Sequence, residues 1–222
     1  TLNMTGSATT TGAGLVDIIN GVGTKNISNT VAEVVNLTLS DSQSTGLDIT
    51  STAQATFAVG ALAQYTLSHP GTIGAGTRAG YTVTRKDQYG NLVANGSSTI
   101  YLYSNSSSTN KAFYDSGSGG NIIASLTVPD GQSSASFWYY DDSLGSRVIS
   151  ASDSAVAPDG ATGINDASDS ITITTGATAQ FFLSHPAPIT AGTRAEYTVT
   201  RKDAFGNLVE SGGIHSQLVQ RV

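Results

Sequence analysis

Residues 75–93 read AGTRAGYTVTRKDQYGNLV, and residues 191–209 read AGTRAEYTVTRKDAFGNLV. The likeness extends to residues 63–94 and 179–210, which align without gaps at an offset of 116, with 23 of 32 positions identical. Repetition at a fixed period indicates one structural unit that is built several times. A period of about 116 residues is the size of a single β-sandwich domain.

The period divides the chain into one complete unit and two partial ones. Residues 63–178 span a whole period, and residues 179–222 repeat only its front part. Residues 20–42 resemble residues 129–154 more weakly, with a shared glycine and with LSDS against ASDS at their ends. We therefore predict that residues 1–62 are the back half of a preceding repeat.

The complete unit shows the alternation of apolar and polar residues that is typical of half-buried β-strands. Turn sequences such as Asn95-Gly96 and Asp130-Gly131 separate the strands, and no segment has helical periodicity. The predicted strands are residues 63–67, 79–85, 99–103, 122–128, 135–140, 147–151 and 171–175. This pattern predicts an all-β fold of immunoglobulin-like β-sandwich repeats. The predicted core includes Tyr81, Val83, Ile100, Leu102, Leu126, Phe137 and Ile171.

The two partial repeats are predicted to complete each other between copies of the chain. Their predicted strands are residues 15–19, 26–28, 34–39 and 55–59 in the back half, and residues 180–183, 195–201 and 216–222 in the front part. Either part alone would expose sheet edges and an open apolar face. Because the linkers are only a few residues long, we expect the tail of one copy to meet the head of the next. Such contacts add strands to a sheet and build a filament.

Composition excludes several classes of protein. The chain has no Cys, which excludes disulfide scaffolds, thiolate metal sites and Cys nucleophiles. A net charge of −6 argues against nucleic acid as a partner, because binding to phosphates requires clustered Lys and Arg. No apolar run approaches the ~18 residues that cross a bilayer, so no membrane span is predicted.

The repeated motif resembles the bacterial Ig-like repeats of surface and secreted proteins, of which the invasin and intimin group is the best known. Those families carry a strand that ends in Lys-Asp and is followed by a Gly-Asn turn. Here the matching residues are Lys86-Asp87 with Gly90-Asn91, and Lys202-Asp203 with Gly206-Asn207. The resemblance implies an extracellular or cell-surface location and a role as a stalk, adhesin shaft, surface-layer part or enzyme accessory module.

The recurring Asp is predicted to have a structural role in a turn. Asp87 would accept backbone N–H groups of the tight turn through Gly90 and Asn91, as Asp does in many turns. The equivalent set in the next repeat is Asp203, Gly206 and Asn207. An intramolecular Lys–Asn isopeptide bond is the alternative interpretation of the same residues.

The histidines give no sign of catalysis. His69 and His185 both stand in Ser-His-Pro, which is typical of a strand exit because Pro restricts the backbone of the residue before it. His215 stands alone and is expected to be exposed. No G-x-S-x-G or similar nucleophile motif is present, so we predict that the chain is not an enzyme.

Acidic residues in the long loop that follows residue 151 are weak candidates for a calcium site: Asp153, Asp159, Asp166 and Asp169. Ca²⁺ requires six to eight oxygen ligands, which a long polar loop can supply. No EF-hand spacing is present, and a solvated loop without metal is the alternative. No other cofactor is predicted.

Aromatic residues on two predicted strands are candidates for sugar stacking. Tyr101 and Tyr103 share one face of a strand, and Trp138 and Tyr140 share one face of another. If the two strands lie in one sheet, the four rings form a platform for surface glycans. The alternative is a packing or inter-domain surface, where aromatic residues are also enriched.

These patterns favour a non-catalytic structural segment of an extracellular repeat protein, such as a fibre, stalk, surface layer or adhesin shaft. Its expected partners are copies of itself, joined head to tail. The alternative is a carbohydrate-binding or accessory module of a secreted polysaccharide-degrading enzyme.

Overall fold

The computed structural model describes residues 1–7, 9–69, 71–184 and 188–210, and every regular element in these ranges is a β-strand. The strands are β1 (Leu2–Met4), β2 (Val34–Leu39), β3 (Thr52–Thr56), β4 (Gln64–Ser68), β5 (Thr72–Gly74), β6 (Arg78–Lys86), β7 (Ser98–Ser104), β8 (Ala112–Tyr114), β9 (Ile122–Ile123), β10 (Ser125–Val128), β11 (Ser134–Tyr140), β12 (Gly145–Ser152), β13 (Ala167–Thr174), β14 (Gln180–Ser184) and β15 (Thr198–Lys202). A search of these ranges found no helix with the length and apolar character that crossing a membrane requires.

Two five-stranded sheets form the complete unit. The first sheet has the order β10-β7-β12-β13-β5, and the second has the order β4-β6-β11-β8-β9. All pairs are antiparallel except β13 and β5, which run parallel. The predicted all-β, immunoglobulin-like sandwich is confirmed.

The core lies between the two sheets because alternate residues of each strand point inwards. On β6 the inward residues Ala79, Tyr81 and Val83 are buried, while their neighbours are more exposed. The Phe137 ring on β11 stacks on Tyr81 at a centroid distance of 5.2 Å. Of the predicted core residues, Leu126 is only partly buried and the others are buried.

The predicted strand at residues 122–128 is in fact two strands in different sheets. β9 pairs with β8 in the second sheet, whereas β10 pairs with β7 in the first. The chain crosses between them at Ala124, whose carbonyl accepts the Leu102 N–H at 2.9 Å. A run of alternating apolar residues cannot reveal this crossing, because both halves have the same period.

The C-terminal part contains one hairpin that repeats the β4–β6 hairpin. Gln180 pairs with Lys202 in β14–β15, as Gln64 pairs with Lys86 in β4–β6. The two hairpins therefore have the same pairing register, with each residue one full period later in the chain. The predicted strand 195–201 begins later, at Thr198. Residues 216–222 and His215 lie outside the described residues.

The N-terminal part contains a three-stranded sheet, β1-β2-β3. The predicted strand 34–39 is present, and the one placed at 55–59 lies at Thr52–Thr56 instead. The predictions at 15–19 and 26–28 are wrong, since these segments carry only isolated bridges. In the complete unit, β10 matches residues 15–19 and pairs with β7, and β11 matches residues 26–28 and pairs with β6. The described N-terminal residues contain no counterpart of β6 that could pair with residues 26–28.

Candidate functional site at the junctions between repeats

Asp87 organises the turn that follows β6. Its buried carboxylate accepts the N–H groups of Tyr89 and Asn91 on Oδ1, both at 2.9 Å. Oδ2 accepts the Asn91 side-chain N–H at 2.8 Å and the Gly60 N–H at 3.0 Å. Gly90 has a φ of +90°, which favours glycine at this position. One carboxylate therefore holds the turn, the Asn91 side chain and the linker that enters the unit.

The same arrangement occurs one period later. Asp203 Oδ1 accepts the N–H groups of Phe205 and Asn207, both at 2.9 Å. Its Oδ2 accepts the Asn207 side-chain N–H at 2.9 Å and the Gly176 N–H at 3.1 Å. Gly176 lies 116 residues after Gly60, so the linker glycine belongs to the repeated motif as well.

The turn keeps its carboxylate ionised. Burial raises the pKa of Asp87, but the hydrogen bonds from Asn91, Gly60 and Tyr89 outweigh burial and bring the pKa to about 2. The pKa of Asp203 is also lowered, because its hydrogen bonds from Asn207, Gly176 and Phe205 outweigh its burial. Each hydrogen bond to the charged form favours ionisation.

Asn91 connects this turn to the N-terminal part of the chain. Its side-chain N–H donates to the Thr30 carbonyl at 2.8 Å, and its Oδ1 accepts the Ala32 N–H at 3.0 Å. Both partners are backbone groups of the N-terminal part. The Asn91 carboxamide thus binds Thr30, Ala32 and the Asp87 carboxylate, and the alternative of an isopeptide bond stays a prediction.

Asn207 makes the equivalent contact at the second junction. Its side-chain N–H donates to the Asp142 carbonyl of the complete unit at 3.0 Å. The Phe205 ring lies against Gly76, where a Cβ atom would come within 2.1 Å of ring atom Cζ. Gly76 therefore leaves the space that the Phe205 ring fills.

A buried polar network supports the surface that receives Asn207. Asp141 is buried and accepts the Tyr139 hydroxyl at 2.7 Å and the Ser143 N–H at 2.9 Å. Its carbonyl accepts the Gly76 N–H at 2.9 Å. Burial raises the pKa of Asp141, but its hydrogen bonds and the nearby Arg147 lower it overall. Burial also raises the pKa of Tyr139 to about 12.

The N-terminal part contains a turn like the one at Asp141, next to the Thr30 carbonyl that Asn91 contacts. Asn29 Oδ1 accepts the Val31 N–H at 3.0 Å, two residues ahead, as Asp141 accepts the N–H of Ser143. The residue after each side chain, Thr30 or Asp142, accepts the side-chain N–H of Asn91 or Asn207 on its carbonyl. Sequence reasoning missed these positions, although Asn and Asp commonly accept the backbone N–H two residues ahead in turns.

Three of the four acidic candidates for calcium come together. Carboxylate oxygens of Asp153, Asp159 and Asp166 lie within 4.8 Å of one another. Asp166 Oδ2 accepts the N–H groups of Asp159 and Gly160 at 2.8 and 2.9 Å. Asp169 does not belong to this group of three. Its Oδ2 lies 3.0 Å from His69 Nε2 instead. Calcium binding by the first three residues stays a prediction.

The four aromatic candidates do not form one platform. Tyr101 and Tyr103 lie on β7 in the first sheet, whereas Trp138 and Tyr140 lie on β11 in the second. The Tyr103 hydroxyl donates to the Ser154 carbonyl at 2.5 Å. The four rings therefore cannot stack on one sugar chain.

Trp138 also packs against the protein itself. A Cβ atom on Gly80 or on Gly117 would lie 3.2 or 2.9 Å from the indole Nε1, so both backbones approach this edge closely. Gly117 belongs to a loop whose carbonyls at Ser116 and Gly119 accept the Arg78 guanidinium at 2.6 Å. This loop lies over the outer side of the second sheet.

His69 has a structural environment. Its Nδ1 accepts the Gly71 N–H at 2.8 Å, and its ring stacks on Tyr81 at a centroid distance of 5.2 Å. These contacts place the residue at the exit of β4, where the Ser-His-Pro sequence suggested. His185, in the second Ser-His-Pro, lies outside the described residues.

No family model matches this chain, and no curated protein matches it either. Family membership among the bacterial Ig-like repeats therefore stays a prediction.

Several solved structures show a partial likeness. A β-glycosidase from Bacteroides vulgatus is 10% identical over 69% of this chain and 19% of its own, with a TM-score of 0.39. Domains 4 and 5 of the S-layer protein SbsC are 18% identical over 67% of this chain and 69% of their own, with a TM-score of 0.35. A CARDB domain from Pyrococcus furiosus, in complex with di-metal ions, is 19% identical over 50% of this chain and 86% of its own, with a TM-score of 0.32.

This chain spans about a fifth of the β-glycosidase and of a glycosyl hydrolase family 2 member from Bacteroides cellulosilyticus. At these low TM-scores and identities, the likeness assigns neither a function nor a location.

Proposed function

We propose that the protein is a non-catalytic structural segment of an extracellular repeat protein, in which successive β-sandwiches are held in a fixed orientation. The observation that carries this proposal is the duplicated junction. The same Asp and Asn, 116 residues apart, bind the linker and the backbone of the preceding repeat in the same way.

The junction limits bending because Asp87 and Asn91 together connect the linker, the turn and the N-terminal part. Asp87 binds the linker at Gly60 and the Asn91 carboxamide, and Asn91 binds the preceding repeat at Thr30. A hinge motion between the repeats would have to break these hydrogen bonds together. The linker of residues 57–63 is also too short to act as a flexible tether.

Copies of the chain are further proposed to join head to tail through their partial repeats. What supports this is that β14–β15 has the register of the β4–β6 hairpin, while β2 pairs with β3 in the antiparallel manner of β12 with β13. The segment would then extend and stiffen a fibre, stalk or surface layer.

The stiffness of the first junction can be measured as a distance distribution. Because the chain has no Cys, Thr52→Cys on β3 and Ser134→Cys on β11 provide unique sites for spin labels on either side of the junction. We expect a narrow distribution between the labels in dilute solution, and a broad one after Asn91→Ala. Asn95→Ala is the matched control, since Asn95 is exposed and lies outside the junction. A distribution that is broad before Asn91 is changed would refute the proposal.

A further inference from the structure

Two exposed turns of the chain contain Asn followed by Gly, at Asn20-Gly21 and Asn95-Gly96. In such a pair the main-chain nitrogen of the glycine can attack the carboxamide carbon of the asparagine, because glycine has no side chain to hinder closure of the five-membered ring. The glycine has a positive φ in both turns, +83° at Gly21 and +73° at Gly96. The turns differ in what surrounds the attacking nitrogen.

A carboxylate lies beside the attacking nitrogen of the second turn. The Gly96 N–H donates to Asp130 Oδ1 at 2.7 Å, and Asp130 belongs to the turn that follows β10. A general base must lie within about 2.6–3.2 Å of the atom whose proton it removes, and Asp130 does. Among the described residues, no carboxylate accepts the N–H of Gly21 in the same way.

The two turns that carry this bond are fixed to each other on both sides of it. The buried Arg85 guanidinium donates from Nη1 to the Gly96 carbonyl at 2.8 Å and from Nη2 to the Gln132 carbonyl. The Gly131 N–H donates to the Ala94 carbonyl at 2.8 Å. The carboxylate and the nitrogen are therefore positioned before any reaction begins, which makes a base effective.

The Asn95 side chain is free to react. It is exposed, and within the described part of the chain its carboxamide forms no hydrogen bond. Other asparagines in turns are bound through this group: Asn91 to the carboxylate of Asp87, and Asn121 to that of Asp115. No hydrogen bond of the Asn95 carboxamide therefore has to break before the carboxamide can approach the glycine nitrogen.

We propose that Asn95-Gly96 is a self-modification site, at which the Asp130 carboxylate acts as general base for the cyclisation of Asn95 and its conversion to aspartate or isoaspartate. The inference does not depend on the proposed structural function. The conversion occurs once in each chain, so it is not turnover of a substrate.

The reaction balances with one water molecule. The Gly96 nitrogen forms a bond to Asn95 Cγ while its proton passes to Asp130. The bond from Cγ to Nδ2 breaks, and Asp130 returns the proton to the leaving nitrogen, which departs as ammonia. Water then opens the succinimide at either carbonyl, giving aspartate or isoaspartate at position 95. The N–H lies in the peptide plane and the attacking lone pair is perpendicular to it, so the hydrogen bond to Asp130 does not block the attack.

Peptide mass spectrometry of the folded chain, incubated at neutral pH, measures the conversion. Asn95 should convert to aspartate and isoaspartate faster than Asn20 in the same sample. Asp130→Ala should lower the rate at Asn95 by about 100-fold, as expected when a general base is removed, and leave the rate at Asn20 unchanged. Alanine is preferred because Asp130→Asn would create a new Asn-Gly pair with Gly131.

Two controls separate the base from charge and from folding. Asp48→Asn removes an exposed carboxylate that binds the Thr50 N–H, and it should leave both rates unchanged. In concentrated urea, where the two turns are no longer held together, the wild type and Asp130→Ala should convert Asn95 at equal rates.

Equal rates at Asn95 in the folded wild type and in folded Asp130→Ala would overturn the proposal, because the carboxylate would then contribute nothing. A faster rate in the variant would also overturn it, since the hydrogen bond would then protect the Gly96 nitrogen from reaction. A folded wild type in which Asn95 stays intact while Asn20 converts would lead to the same conclusion.

Discussion

Val83 and Val199 stand at the same position of the same local sequence, TVTRKD, yet they should respond very differently to Val→Ala. Val83 is 0% exposed within the complete sandwich, and Val199 is 49% exposed. Val83→Ala removes two methyl groups, worth about 1.6 kcal/mol of transfer free energy, and the cavity that remains adds about 1 kcal/mol. We therefore expect a loss of roughly 2–3 kcal/mol in the free energy of unfolding of the complete unit.

Val199→Ala should cost well under 1 kcal/mol in a dilute monomer, since half of the side chain is already in water and no closed cavity can form. Calorimetry of both variants at the same low concentration measures the difference. For a unit of this size, the Val83 change should lower the Tm by on the order of 10 °C. Equal shifts for the two variants would refute the reasoning, because burial by the opposite sheet would then not set their cost.

Three further predictions concern pH, the second junction and sugar binding. The pKa of Asp87 is about 2 in the folded chain, below about 3.9 for an unfolded Asp, so its stabilisation is complete above about pH 5 and is lost as the pH falls towards 2. Melting curves between pH 6 and pH 2.5 should therefore depend less on pH in Asp87→Asn, and an unchanged profile would contradict this. Gly76→Ala should displace the Phe205 ring and make residues 175–179 more sensitive to protease. Gly192→Ala is the control, because Gly192 has a similar positive φ but open space around it, and it should not change the cleavage. Equal cleavage of both variants would argue against the packing of Phe205 on Gly76. Insoluble polysaccharides should not retain the chain, because Trp138 and Tyr103 lie in different sheets, and specific retention that Trp138→Ala abolishes would restore the alternative of a carbohydrate-binding module.

The 116-residue repeat and the alternation of apolar and polar residues predict most of the sandwich, because both reflect which side chains are buried. Tyr81 and Val83 alternate with threonines, and the structure buries them in the core. The short strands β5 and β8 were missed, since three residues contain too little alternation to detect. The strands predicted at 15–19 and 26–28 are wrong: the described N-terminal residues contain no counterpart of β6 to pair with 26–28, and residues 15–19 carry only the isolated bridge of Ile19 with Val22.

The sequence predicts the turn at the junction but not the contacts that Asn91 makes there. The recurrence of Asp87 with Asn91 marks a turn, because Asp commonly accepts backbone N–H groups there. The partners of Asn91 are the backbone of Thr30 and Ala32, and a backbone carbonyl has no signature in a sequence. The pairing of His69 with Asp169 was missed for a different reason, since it joins the exit of β4 to a residue within β13, far apart in the chain.

Electron cryo-microscopy of the wild-type chain at high concentration tests both the stiff junction and the proposed head-to-tail joining of copies. Each copy should add one sandwich of its own and one shared with its neighbour, each roughly 40 Å long from strand rise and end turns. We expect straight, unbranched filaments in which these two kinds of sandwich alternate with a constant angle between them. Isolated compact particles, or chains of sandwiches with variable angles, would contradict the proposed structure and function.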